Sequence, residues 1–212
     1  MNEPYAIPRR RDPASTQRKL LAAARLEFAR NGLAGARVDD IAARAGVNKQ
    51  LVYHYFGDKD ALYFAVLQGM YREIRDYERK LCLDGLDPDQ TLRKLILSAF
   101  DYLVMHPDFV SILNDENRNE ATHIRNLERF SEIGLSLLRL FSRTLNRGVR
   151  DGLFRRGVNP EQLYISIAAL SYFYFSGMPT LSVMLGKDFS SKAALRKRRK
   201  HVVDFVMQSL RP

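Results

Sequence analysis

Cysteine is almost missing from this chain of 212 residues, and the single Cys82 leaves no partner for a disulfide within the chain and no thiolate cluster for a metal. The first residues, Met1-Asn2-Glu3-Pro4, lack the apolar stretch of a secretory signal, so a cytoplasmic location is expected. Sustained period-two alternation of β-branched residues is absent, which excludes a strand-built domain. Only His106, His123 and His201 lie outside the N-terminal segment that ends near residue 60, and no H-x-x-x-H pair accompanies them. Glu120 and His123 form one E-x-x-H pair, whereas a di-iron site needs two such pairs and further carboxylates. Gly186-Lys187 lacks the preceding glycine of a phosphate loop, and there is no G-x-S-x-G elbow. These absences lead us to expect no metal, no cofactor and no catalysis.

Charge is missing from Gln162 to Gly186, twenty-five residues that meet the length criterion for a membrane span. The content argues otherwise. Five Ser or Thr residues, three tyrosines and the Gly177-Met178-Pro179 break limit the uninterrupted helix to Leu163 through about Met178, so a buried helix or subunit interface is expected.

What is present is a core-forming composition, 46% apolar and 10% aromatic, with a net charge of +10 and a pI near 9.9. Such a balance suits an anionic partner, either nucleic acid or an anionic membrane surface. Residues 1–60 hold eleven basic and seven acidic side chains. The C-terminal excess is accounted for by Lys192 and the run Arg196-Lys197-Arg198-Arg199-Lys200, which we expect to be a solvated face.

Gly and Pro punctuate the chain at helical intervals, so the fold class is all-α. Asp12 and Pro13 open a first helix that carries Leu21, Ala24 and Phe28 on one face and ends at Asn31-Gly32. A second spans residues 39–45 and a third starts after Asn48 and turns Val52 and Phe56 inward. Longer helices are expected at 59–82, 89–105, 108–115, 122–150, 160–178 and 191–210. The implied organisation is a basic arm (1–12), a three-helix reader (13–60) and a helical C-terminal domain (61–212).

Two short helices joined by Ala45-Gly46-Val47 behind a longer one make a helix-turn-helix, because the sharp turn needs a residue tolerant of positive φ and then an apolar plug. With Val52 and Phe56 inward, Lys49, Gln50, Tyr53 and His54 face out beside Leu51, and no acidic residue lies between Asn48 and Phe56. A solvated helix would mix signs, whereas these side chains can donate to phosphates and base edges.

The segments Val38-Asp39-Asp40-Ile41-Ala42-Ala43-Arg44-Ala45-Gly46-Val47 and Val52-Tyr53-His54-Tyr55-Phe56-Gly57-Asp58-Lys59-Asp60-Ala61-Leu62 resemble the DNA-binding domain of the tetracycline-repressor (TetR) family of bacterial regulators. With Leu20 to Ala24 and Phe28 to Gly32, the likeness covers roughly residues 15–65. It implies an N-terminal reader, a C-terminal effector and dimerisation domain, and binding to palindromic operators as a homodimer. By position, Lys49, Gln50 and Leu51 take the base-facing start of the recognition helix and Tyr53 the phosphate-contacting tyrosine, flanked by His54 and Tyr55, while Lys59 takes the backbone-contacting lysine. Arg37 stands where the family has a capping Ser or Thr, which weakens the cap and offers a phosphate contact instead. Asn48 replaces a Ser as an equivalent cap. The arm Arg9-Arg10-Arg11 offers minor-groove insertion, with a solvated tail as its alternative.

For the C-terminal domain the resemblance implies dimerisation through helices 160–178 and 191–210, in agreement with their apolar surfaces, which include Val202, Val203, Phe205, Val206 and Leu210. It also implies that this bundle lies away from the DNA. Asn114 to Glu120 reads as an exposed loop, with hydrogen bonding to a small-molecule effector through Glu116 as the alternative. Phe100, Phe109, Ile112, Tyr172 and Phe173 are candidates to line an effector cavity, with core packing the competing explanation for each. The function these features select is a ligand-responsive transcriptional repressor. The alternatives are a DNA-binding architectural protein or a regulator without an effector, then an enzyme or membrane-surface protein.

Overall fold

The computed structural model describes residues 12–126 and 130–212, and every regular element among them is helical, as the all-α reading requires. The chain forms two compact units that divide between Gln68 and Gly69. The arginines of the arm, Arg9 to Arg11, lie outside the described residues.

The first unit contains α1 (Pro13–Gly35), α2 (Val38–Ala45), α3 (Lys49–Phe56) and the start of α4 (Lys59–Arg79). Helix α1 begins where its sequence signals it, with the Asp12 carboxylate accepting the Ala14 N–H at 3.1 Å and Pro13 in the first turn. Gly32 takes φ 66° and breaks the helix before a last short turn. The buried stripe is Leu20, Ala23, Ala24 and Phe28, one position away from the expected Leu21, which is half-buried. Phe28 closes edge-on against the fully buried Tyr63 of α4, with ring centroids 5.0 Å apart.

The second unit continues with α5 (Pro88–Met105), α6 (Pro107–Arg118), a 3-10 turn (Ile124–Asn126), α7 (Phe130–Arg150), α8 (Pro160–Ser176), α9 (Met178–Leu185) and α10 (Lys192–Ser209). A capping box between Asp87 and Gln90 starts α5, whose Leu92, Ile96 and Phe100 are sealed from solvent at four-residue intervals. Helices α7, α8 and α10 pack around it, contributing Phe141 and Leu145, then Leu163, Ile167 and Tyr174, then Val202, Val203, Val206, Met207 and Leu210.

Three expectations need correction. The stretch 122–150 is not one helix, because Glu120 and Ala121 adopt positive φ of 55° and 58° and the chain restarts in a 3-10 turn before α7. Val202, Val203, Val206 and Leu210 do not form a seam with a partner, since they are buried in their own protomer and only Phe205 of that list is exposed. The basic run of α10 is not a uniformly solvated face. Arg199 makes a bidentate pair with Asp101 at 2.6 and 2.7 Å, Lys200 pairs with Asp204, and Arg198 donates to the Leu170 carbonyl at 2.7 Å beneath the Tyr174 ring. Arg196 and Lys197 remain exposed.

Helix α8 ends at Ser176, and the break expected at Gly177-Met178-Pro179 bends the chain by 70° into α9, a short helix that the sequence reading did not separate. No single helix among the described residues is long and apolar enough to cross a membrane.

One glycine sets how α7 meets the core. A Cβ at Gly148 would lie 2.0 Å from the Phe154 ring, which folds back onto the helix while the Leu153 and Phe154 N–H groups donate to the Gly148 carbonyl. Gly148→Ala should therefore overpack this contact and destabilise the protein by about 1–3 kcal/mol, read as a lower urea midpoint in far-UV circular dichroism; an unchanged midpoint would show that Phe154 can move aside freely.

Candidate nucleic-acid interface and tyrosine-rich interior

The turn between α2 and α3 depends on backbone conformation at one residue. Gly46 sits at φ 66° and ψ 36°, its N–H donates to the Ala43 carbonyl, and the Val47 N–H reaches the Ala42 carbonyl at 3.0 Å. A Cβ at Gly46 would touch nothing, so the requirement for glycine is conformational rather than steric. Arg37 occupies the N-cap of α2 without a side-chain capping bond, and Asp39 and Asp40 in the first turn complement the helix dipole instead. Helix α3 starts with the Asn48 side chain accepting the Gln50 N–H at 2.9 Å. This cap fixes where the helix starts.

Val52 is fully buried and Phe56 half-buried, while Lys49, Gln50, Tyr53 and His54 are exposed, with Leu51 and Tyr55 half-buried at the margins. All the side chains assigned to the recognition face lie on one short helix, and the rings of His54 and Tyr55 meet at 5.3 Å. Lys49 is not idle in this arrangement. Its ammonium lies 2.9 Å from Asp39 Oδ1, and this hydrogen bond raises its pKa above the ordinary lysine value. Both partners are substantially exposed, so the pair is readily exchanged for another anion.

Lys59 has a structural task that its position did not advertise. Its ammonium donates to the Ala34 and Ala36 carbonyls, both at 3.3 Å, and so ties the α1–α2 connection to the start of α4. Arg37, next in the chain after Ala36, is exposed beside it. Asp58 caps α4 by accepting the Ala61 N–H at 2.7 Å. A buried carboxylate, Glu27, accepts from the Asn31 amide at 2.6 Å and faces Arg44 at 3.9 Å, joining α1 to α2.

The residues singled out in the C-terminal domain separate into four environments. Phe100 belongs to the core, where its ring meets Tyr174 and Phe175. Phe109, Ile112 and Glu116 are buried on α6, Phe109 edge-on to Tyr71 and Tyr102. Tyr172 is half-buried and its hydroxyl donates to Asn114 Oδ1 at 2.6 Å. Phe173 is 60% exposed on the outer side of α8, apart from the rest.

Asn114 to Glu120 is not an exposed loop. Helix α6 runs through Arg118, Asp115 is buried, and Glu116 has no exposed surface. The Glu116 carboxylate accepts from the His123 and Ile124 backbone N–H groups at 2.7 and 2.9 Å and lies 3.0 Å from His123 Nδ1. His123 thus answers to Glu116, seven residues away, rather than to Glu120 of the E-x-x-H pair. These bonds hold Glu120 and Ala121 in left-handed conformations that cost roughly 1–2 kcal/mol each for residues with a Cβ.

Around Glu116 gathers a set of groups that sequence reasoning missed. Burial, reinforced by Glu116 and by Tyr164, Tyr172 and Tyr102, pushes the Tyr71 phenol far above its ordinary value. Burial likewise raises Tyr164 and the Glu78 carboxyl, the latter opposed by Arg75 at 2.9 Å. Asn117 partly offsets the rise at Tyr172. The sequence signal was the density of polar and aromatic side chains on the inward positions of α4, α6 and α8, which reads as an ordinary solvated or core pattern until the helices are placed. Among the described residues no three His, Cys, Asp or Glu side chains converge as metal ligands.

The family model for bacterial regulatory proteins of the tetR family matches residues 20–66, and the model for the tetracyclin repressor-like C-terminal domain matches residues 88–206. The chain belongs to the TetR family. The transcriptional repressor NicS of Pseudomonas putida is 34% identical over 196 residues, 92% of each protein. The transcriptional repressor KstR2 of Rhodococcus jostii is 31% identical over 146 residues, 68% of this chain and 70% of that one. A solved transcriptional regulator of Streptomyces coelicolor superposes with a TM-score of 0.68 at 27% identity, covering 93% of this chain and 99% of the other. As a TetR-family member the chain is a transcriptional regulator that binds DNA.

The grip of Glu116 is open to a direct check. Glu116→Ala leaves two backbone N–H groups near the base of α6 without their acceptor, each costing about 1–3 kcal/mol. It should lower stability well beyond Asn114→Ala, which removes one partner of a half-buried tyrosine. Equal urea midpoints for the two variants would mean that the turn holds itself.

Proposed function

We propose that this TetR-family chain is a repressor that binds a palindromic operator as a homodimer and releases it when a small molecule enters the C-terminal unit. The observation that carries the reading is the outward face of α3, where Lys49, Gln50, Tyr53 and His54 stand together with no acidic residue on the helix. Lys49 and Gln50, with Leu51, read base edges; Tyr53, His54, Tyr55, Arg37 and the remaining N–H of Lys59 hold phosphates. One such reader spans only a few base pairs, and a two-fold partner places a second reader about one helical turn away.

The dimer seam uses the outer faces of α8 and α10, where Ile165, Phe173 and Phe205 are exposed. The effector enters among Tyr71, Phe109, Ile112, Glu116 and Tyr172, since two half-buried phenols and a buried carboxylate in an apolar frame suit a small organic molecule with polar groups. The names of the relatives, both transcriptional repressors, support repression over activation. No feature favours catalysis, and the regulator acts where the DNA is, in the cytoplasm.

Binding to the operator and to unrelated duplexes across a salt series tests the assignments. Lys49→Ala and Gln50→Ala should each cost on the order of 1–3 kcal/mol on the operator and little on unrelated DNA. Tyr53→Phe and Lys59→Ala should weaken all duplexes alike, and Lys59→Ala should lower the salt slope by roughly one while also reducing stability through its lost carbonyl contacts. Equal loss of discrimination in all four variants would show the roles to be misassigned.

A further inference from the structure

A groove of about 320 Å³, open to solvent, is lined by Leu97 of α5 and by Arg196, Arg199, Lys200, Val203 and Asp204 of α10. Helical spacing explains the lining, because Arg196 and Lys200 stand four residues apart, as do Arg199 and Val203, and so share one side of α10. Val203 is buried and Leu97 half-buried, which makes the floor apolar, while the walls carry three cations and one carboxylate. Two of the cations have partners: Arg199 makes two bonds to Asp101, and Lys200 meets Asp204. Arg196 is exposed and has no hydrogen-bond or ion-pair partner among the described residues. One uncompensated positive charge therefore stands beside an apolar floor. This side of α10 is not the one that carries Phe205, since the nine residues from Arg196 to Phe205 make about two and a half helical turns and set the two on opposite sides. None of the lining residues belongs to the set around Glu116.

We propose that the α5–α10 groove binds a small organic carboxylate with an apolar chain, the Arg196 guanidinium holding the carboxylate and Leu97 and Val203 receiving the chain. The charge selects the head group. A carboxylate answers the single free charge, whereas a phosphate monoester carries about −1.5 to −2 at pH 7 and would bring more negative charge than the groove leaves open. The planar guanidinium fork also matches the two oxygens of a carboxylate. Lys200 adds a second donor, because both ends of its pair with Asp204 are exposed and such a pair exchanges readily. Arg199 stays with Asp101 and forms the wall. The volume lies at the lower end of the roughly 300–1,000 Å³ that small-molecule sites occupy, which suits a short chain.

Equilibrium dialysis of the full chain with radiolabelled octanoate tests this. Wild type should show a saturable site for one octanoate per protomer, Arg196→Gln should raise its Kd at least tenfold, and Arg196→Gln combined with Lys200→Gln should raise it further. Lys197→Gln, which removes an exposed neighbouring cation outside the lining, should leave it unchanged. These positions are exposed, so circular dichroism should not change in any variant. Unlabelled acetate and inorganic phosphate should each compete at least tenfold more weakly than unlabelled octanoate. Absence of saturable octanoate binding overturns the inference. So does binding that neither Arg196 variant moves, a result that places octanoate elsewhere and leaves the effector reading around Glu116 intact. Competition by acetate or phosphate equal to that of octanoate overturns it in favour of simple ion attraction to a basic helix. A salt slope of duplex binding that falls by about two in the double variant overturns it in favour of DNA phosphates at the groove.

Discussion

Leu92, Ile96 and Phe100 recur along α5 and are fully covered by α7, α8 and α10, and this enclosure constrains everything else in the C-terminal unit. A helix that spends one apolar face on α5 has only the opposite face left for other work. Helix α10 shows the consequence, since Val202, Val203, Val206, Met207 and Leu210 are committed inward and Phe205 is the large apolar side chain that remains outside. Each buried residue of that stripe stabilises the protomer by about 1.5–3 kcal/mol, so the stripe cannot be withdrawn to serve an interface. Function is left to outer faces and to the polar interior around Glu116.

Much of this was legible in the sequence because it rests on local chemistry. Asp12-Pro13, Asn48 and Gly46 announce caps and a turn through preferences that need no tertiary partner, and the helices of the reader begin and end near where those residues place them. The outward face of α3 followed from Val52 and Phe56, one turn apart, since two inward residues on an eight-residue helix fix which side is exposed. The Leu20 and Leu21 ambiguity is the limit of that logic, as adjacent leucines fit a helical stripe equally well until the packing of α1 buries Leu20.

What was not legible depends on pairs distant in sequence. An apolar stripe on α10 has the same period whether it meets α5 or a second chain, so periodicity could not choose between core and seam. The polar run Asn114 to Glu120 looks solvated by composition, and only the fold reveals that Glu116 is enclosed with the His123 and Ile124 N–H groups as its ligands. Arg199 and Asp101 are ninety-eight residues apart, and their bidentate pairing turns part of a basic run into a cross-link between helices. Lys59 is similar, because its family-like position says nothing of the two carbonyls it holds.

The contact between Lys49 and Asp39 gives the reader a built-in exchange reaction. On the proposed assignment, an ammonium that already has a carboxylate partner exchanges one anion for another on meeting DNA instead of neutralising a naked charge. Fewer bound ions need be shed from the protein side, and the displaced carboxylate of Asp39 is left close to a polyanion that repels it. A well-placed base edge can compensate for that repulsion through directed hydrogen bonds, whereas a passing phosphate gives the lysine only a substitute for what it lost. On the proposed assignment of Lys49 to base edges, the pair works against indiscriminate contact, and Asp39, in the helix before α3, contributes to selectivity without touching the DNA.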